Sequence, residues 1–180
     1  MKYLTIPLLV VFSLAAQPVQ RREVVKATTP AEDAKGLSPD VPDSMAVSTQ
    51  FERIVLLRFR NQADLLAGIE KQVREQKIEN AVILSGAGSA LRAHYHVVSN
   101  RSFPSKNTYV EMPEASADIV NVSGMVLKGR VHAHITFSGA DKAFGGHLEA
   151  GTKVFTFAFI TLGVLPNSLD IGRFDDKTLR

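Results

Sequence analysis

The chain has 180 residues, 45% of them hydrophobic and 22% charged, which fits one ordinary globular domain with some excess chain. It contains no cysteine, which excludes disulfides, thiol catalysis, Cys-type zinc sites and a lipid-modified cysteine anchor. The formal net charge of +3 is a weak footprint for a nucleic-acid binder, which ordinarily shows a basic face or stripe.

Met1-Lys2 followed by the apolar run Tyr3 to Ala16 reads as a secretory signal peptide cut after Ala15 or Ala16. About 14 apolar residues interrupted by Pro7 fall short of the ~20 that cross a bilayer. A periplasmic or extracellular address is therefore expected. Residues 17–50 hold Pro18, Pro30, Pro39 and Pro42 and no apolar period, which predicts a flexible tether. Phe51 to Phe59 is the first strand, and the run Ile54 to Leu57 predicts burial on both faces. Asn61 is placed to cap a helix, with Asp64 favouring its positive end. Leu65, Leu66, Ile69 and Val73 form one apolar stripe opposite Glu70, Lys71, Arg74 and Glu75, and the helix ends near Gln76.

Ala81 to Leu84 is a second buried strand, followed by Ser85-Gly86-Ala87-Gly88-Ser89. A glycine-rich turn after a strand invites a phosphate cradle, but the spacing matches neither the dinucleotide fingerprint nor a P-loop. A tight strand-to-strand turn is the expectation. Leu91 to Val98 then alternates, with Arg92, His94 and His96 on one face and Ala93 and Tyr95 on the other. Asn100 to Lys106 is a polar turn. Val120 to Val126 is a strand, and Lys128-Gly129 turns it into the next one.

That next strand, Val131 to Phe137, puts Val131, Ala133, Ile135 and Phe137 on one side and His132, His134 and Thr136 on the other. A polar turn, Ser138 to Lys142, leads to Gly145-Gly146, expected as a returning loop that delivers His147. Three of the five histidines thus lie within sixteen residues. Three neutral imidazoles and a vacant fourth position suit zinc, and copper, nickel or iron also accept imidazole. A cation on His132, His134 and His147 would lower the pKa of a bound water. Glu149 and Asp141 are the nearby carboxylates in sequence, as general base or as orienting partners of the imidazoles. Lys153 to Val164 is strongly β-prone, either a central strand or a face buried against another subunit, and 167–180 is a polar tail.

Several stretches resemble, in order, the PPC domain (plants and prokaryotes conserved, also called DUF296). They are Arg53-Ile-Val-Leu-Leu-Arg-Phe, Ala81-Val-Ile-Leu-Ser-Gly-Ala-Gly-Ser, Val120-Asn-Val-Ser-Gly, Val131-His-Ala-His-Ile and Gly145-Gly-His-Leu-Glu-Ala-Gly, within 51–166. The resemblance implies an α+β fold, a mostly antiparallel mixed sheet packed with one main helix, assembled as a homotrimer. It also implies a metal on the three histidines. Family members carry a glutamate ahead of the Ser-Gly strand; here Glu114 or Asp118 stands nearest that place. The matching stretches omit His94 and His96, which could extend the metal site, form a second one or face water. Solvent exposure or a trimer contact is expected ahead of ligation. The resulting expectation is an exported, zinc-type metal-binding domain with a small-molecule-binding or sensing role. The alternatives are a metal-dependent hydrolase or lyase, and a DNA-binding protein as in plant relatives, although no Arg-Gly-Arg-Pro hook is present.

Overall fold

The structure is a computed structural model and describes residues 21–27 and 38–176. Its elements are β1 (Arg22–Ala27), β2 (Arg53–Arg60), α1 (Leu65–Glu75), β3 (Asn80–Val98), β4 (Lys106–Met112), β5 (Ala117–Leu127), β6 (Arg130–Ser138), β7 (Ala143–Leu148), β8 (Lys153–Leu165) and a 3-10 turn, Gly172–Asp175. One antiparallel sheet holds the eight strands. Among the described residues no helix is long and apolar enough to cross a membrane.

Strand β3 organises the sheet. Its first part pairs with β5 and β8, and its last part with β4 and β7. Because β5, β6 and β7 also pair in series, β3, β5, β6 and β7 form a closed ring of pairings. The ring has an apolar inside, where Ala133, Ile135 and Phe137 of β6 join Tyr95 and Leu148. Leu65, Ile69 and Val73 of α1 belong to the same core, so the predicted helical stripe is the face that packs.

Several expectations are corrected. The segment Ser85 to Ser89 is not a turn: β3 continues through it, with register shifts on either side, as one strand of 19 residues. The glycines are there for clearance. A Cβ on Gly86 would lie 2.5 Å from Ile160 and 2.7 Å from Val122, and one on Gly88 would lie 2.4 Å from the Phe157 carbonyl. The helix cap is Asp64, whose Oδ1 accepts from the Ala67 N–H at 3.1 Å, and not Asn61. Asn61 instead donates to the Phe155 carbonyl, and Gln62 at φ 67° separates it from the helix. On β2, Leu57 and Phe59 are buried while Ile54 and Leu56 are exposed, so the apolar run is not buried on both faces.

The ends differ as well. The expected signal peptide, 1–16, lies outside the described residues. Within the expected tether, Arg22–Ala27 is a strand on the edge of β4, its register set from Arg22–Glu111 to Ala27–Lys106. An open strand edge offers unpaired backbone groups, and the β-branched pair Val24-Val25 suits it. Within the described part of the expected polar tail, Ile171 is buried with Leu127 and Leu165 at the start of the 3-10 turn. The Lys128-Gly129 turn is as expected, with both residues at positive φ.

Candidate metal centre

On β6 the alternation holds: Ala133, Ile135 and Phe137 are buried, and His132, His134 and Thr136 face outward. Strand β7 lies beside it with His147 directly opposite His134. On the other edge of β7, His147 pairs directly with His96 of β3. His134, His147 and His96 therefore form a row across three neighbouring strands, with His132 two positions along β6. Directly opposed residues on one sheet face have Cβ atoms about 4.5–5.5 Å apart, close enough for their rings to meet.

Glycine makes this row fit. Gly145 and Gly146 belong to strand β7 itself, not to the expected loop. A Cβ on Gly145 would lie 2.0 Å from the Ile135 carbonyl, and one on Gly146 would lie 2.2 Å from the His96 carbonyl. The chain is thus bare on both flanks where it passes between β6 and β3, and His147 is carried in with it.

Ring centroids are 5.5 Å apart for His132–His134, 4.9 Å for His132–His147 and 5.3 Å for His134–His147. Imidazoles sharing a tetrahedral cation at about 2.0–2.1 Å from each nitrogen have centroids roughly 5 Å apart, so the spacing suits a common ligand point. Each of the three rings offers a nitrogen within 4.8 Å of the others. Asp175 adds a partner: its Oδ1 lies 2.9 Å from His132 Nδ1. An ionised carboxylate only accepts, so His132 carries its proton on Nδ1 and presents Nε2 free. Arg130 stands 3.7 Å from the other Asp175 oxygen.

Burial holds the His147 pKa down to about 4, with His96, His132 and His134 adding to the shift. His134 is also lowered, first by burial and then by His132 and His96. Both rings are thus held neutral near pH 7, the form that ligates. Among the described residues, no hydrogen bond to another protein group engages a ring nitrogen of His134 or His147. The donor set fits a transition cation.

The structure therefore brings together the three histidines expected from sequence and places Glu149 beside them. Glu149 Oε1 lies 2.5 Å from His96 Nδ1, and His96, His147 and Glu149 form a second group with ligand atoms within 4.8 Å of one another. Asp141 sits on the exposed β6–β7 turn, outside both groups. Glu114 and Asp118 line a separate hollow with Ser89, Ser138 and Phe155. Of the two expectations for His94 and His96, solvent exposure or a trimer contact, the first does not hold: their side chains are 19% and 15% exposed. His94 Nδ1 donates to the Ala150 carbonyl at 2.6 Å, while His96 stacks on His147 at 4.5 Å. The signal for His96 was its place two residues from His94 on an alternating strand, but the β3–β7 pairing that brings it in spans distant sequence. Asp175, 43 positions from His132, carried no sequence signal.

Comparison with known proteins agrees with this architecture. The Synechococcus bifunctional protein GlmU (strain JA-2-3B'a(2-13)) is 28% identical over 115 residues, 63% of this chain but only 17% of that protein. The chain thus spans about a sixth of the length of the curated relatives it matches. Among solved structures, a metal-containing protein from Archaeoglobus fulgidus superposes with a TM-score of 0.60 at 24% identity, covering 75% of this chain and 96% of that one. A plant- and prokaryote-conserved (PPC) protein from Pyrococcus horikoshii gives 0.54 at 21%, covering 68% and 85%. A candidate DNA-binding protein from Bacteroides thetaiotaomicron gives 0.56 at 16%, covering 73% and 92%. These likenesses show the fold. The profile of the Plants and Prokaryotes Conserved (PCC) domain matches residues 46–166, and the chain belongs to that family.

Proposed function

We propose that this PCC domain holds a divalent transition cation, zinc or a close relative, on His132, His134 and His147, and serves in small-molecule binding or sensing. The observation that carries the reading is the convergence of three imidazoles, two without a hydrogen-bonded partner among the described residues and the third fixed by Asp175. The metal-containing Archaeoglobus relative adds support. A bound cation would supply a Lewis-acidic centre with one open position. The chain's own groups would orient the rings and hold His132 in the ligating tautomer.

The chain is exported and assembles as a homotrimer in this reading. Assembly draws on the outward face of β2 and β8, where Ile54, Leu56, Phe155, Phe157 and Phe159 are exposed together. Exposed apolar side chains gathered on one sheet face, here with Arg58 lying over the Phe157 ring, mark an interaction site.

Elemental analysis of the purified protein tests the metal reading. About one transition cation per chain is expected, lost in His147→Ala and held less tightly in His132→Ala. Asp175→Asn should keep the fold and weaken affinity by about 10–100-fold, the usual cost of removing an orienting partner. A wild-type protein that takes up no cation in a zinc titration would end the reading.

A metal-dependent hydrolase or lyase is the second reading, favoured by the carboxylate of Glu149 beside the cluster. It requires turnover of an ester or phosphoester that Glu149→Gln abolishes while metal content stays. Duplex binding, suggested by the Bacteroides neighbour, requires affinity that falls steeply with salt.

A further inference from the structure

His96 and Glu149 stand at the border of the three-histidine cluster and take no part in it. They are held firmly. His96 is fixed by its pairing with His147 on one side and packs against Tyr109 on the other, with ring centroids 4.9 Å apart. The Glu149 N–H donates to the His94 carbonyl at 3.1 Å, which sets where its side chain starts. The result is the 2.5 Å contact between Glu149 Oε1 and His96 Nδ1.

A hydrogen-bonded His–Glu pair is ordinarily its own explanation, and the neighbouring His94 shows what such an explanation looks like. Its Nδ1 donates to a backbone carbonyl, and its ring lies in neither cation-binding group. His96 differs on both counts. Its partner is a carboxylate, which ligates cations as readily as it accepts protons, and the ring stacked against it is His147. All three offer ligand atoms within 4.8 Å of one another. Two imidazoles, one carboxylate and an open position make one of the recurrent donor sets of zinc enzymes. Imidazole nitrogen also selects transition cations over calcium and magnesium.

We propose that His96, His147 and Glu149 form a second cation position that shares His147 with the first. Occupying it puts the cation in place of the proton between His96 Nδ1 and Glu149; the neutral ring carries its one proton on Nε2 instead, so no net proton is released and both donors stay engaged. Sharing one ring makes the two positions alternatives: the second fills when His132 and His134 are unavailable. The first position carries no protein charge, while the second brings one carboxylate, so the same cation sits there with its net charge reduced by one. The inference rests on the three-histidine reading only for the shared ring.

The test is a zinc and cobalt titration of the full chain followed by calorimetry and cobalt absorption. His132→Ala/His134→Ala removes two outward-facing ligands and should still bind one cation, with affinity lowered by no more than about 100-fold. Adding Glu149→Gln to that variant should abolish the remaining binding, whereas Glu149→Gln alone should leave the wild-type stoichiometry at one. The conservative pair His132→Asn/His134→Asn replaces the alanine pair if the latter does not fold by circular dichroism. Wild-type binding with a folded but silent double variant would overturn the second position and spare the first. Residual binding that survives Glu149→Gln would also overturn it, since the carboxylate would then hold no cation. Equal uptake by wild type and His147→Ala would overturn the shared ring in both.

Discussion

On β6 the outward positions are His132, His134 and Thr136, while on β8 they are Phe155, Phe157 and Phe159. Both strands alternate, and both bury their other side in the same core. The histidine face is crossed by glycine-lined β7, which packs backbone against backbone and concentrates polar rings. The phenylalanine face is broad, has β2 beside it and exposes Leu56 at 77%. Period-two alternation thus says only which residues leave the core. What each outward face does depends on the next strand over, and here one gathers ligands while the other offers area.

Three changes would break or sharpen that contrast. Gly145→Ala should have the largest effect, because its Cβ would meet the Ile135 carbonyl at 2.0 Å. A loss of more than about 3 kcal/mol, near the upper end for single substitutions, is expected in the denaturant midpoint, and zinc uptake should go with it. Leu56→Glu with Phe157→Glu should act on the other face alone. Light scattering should then report a monomer in place of the trimer proposed for the wild type, with zinc stoichiometry unchanged. If that pair alters metal uptake instead, the two faces are not independent.

The smallest effect concerns acid stability of the metal-free protein. His147 titrates at about 4 in the folded chain against 6.5 in the unfolded one. Between those values the unfolded chain binds a proton that the folded chain refuses, so stability should fall as pH drops from about 6.5 to about 4. This contribution is fully present above that window and exhausted below it. Urea midpoints measured with chelator should follow that slope, and His147→Gln should flatten it.

Much of the framework was legible because it is local. The stripe of Leu65, Ile69 and Val73, the alternation from Val131 to Phe137 and the Lys128-Gly129 turn each depend on neighbours a few residues away. The family resemblance added the mostly antiparallel sheet packed with one helix. The illegible parts depend on contacts between distant segments. Gly86 and Gly88 look like a turn until Ile160, Val122 and Phe157 are placed against them. Gly145 and Gly146 look like a loop for the same reason. His96 joins the cluster only through a pairing with β7, and Asp175 arrives only because Ile171 anchors the chain behind it.

The 3-10 turn that ends in Asp175 has a practical bearing on how the protein should be handled. Residues 167–176 lie past the family match, yet one of them orients a proposed ligand. A polyhistidine purification handle would compete for the same ion. Recombinant material meant for metal measurements should therefore carry a handle without histidine, or have it cleaved away before any titration.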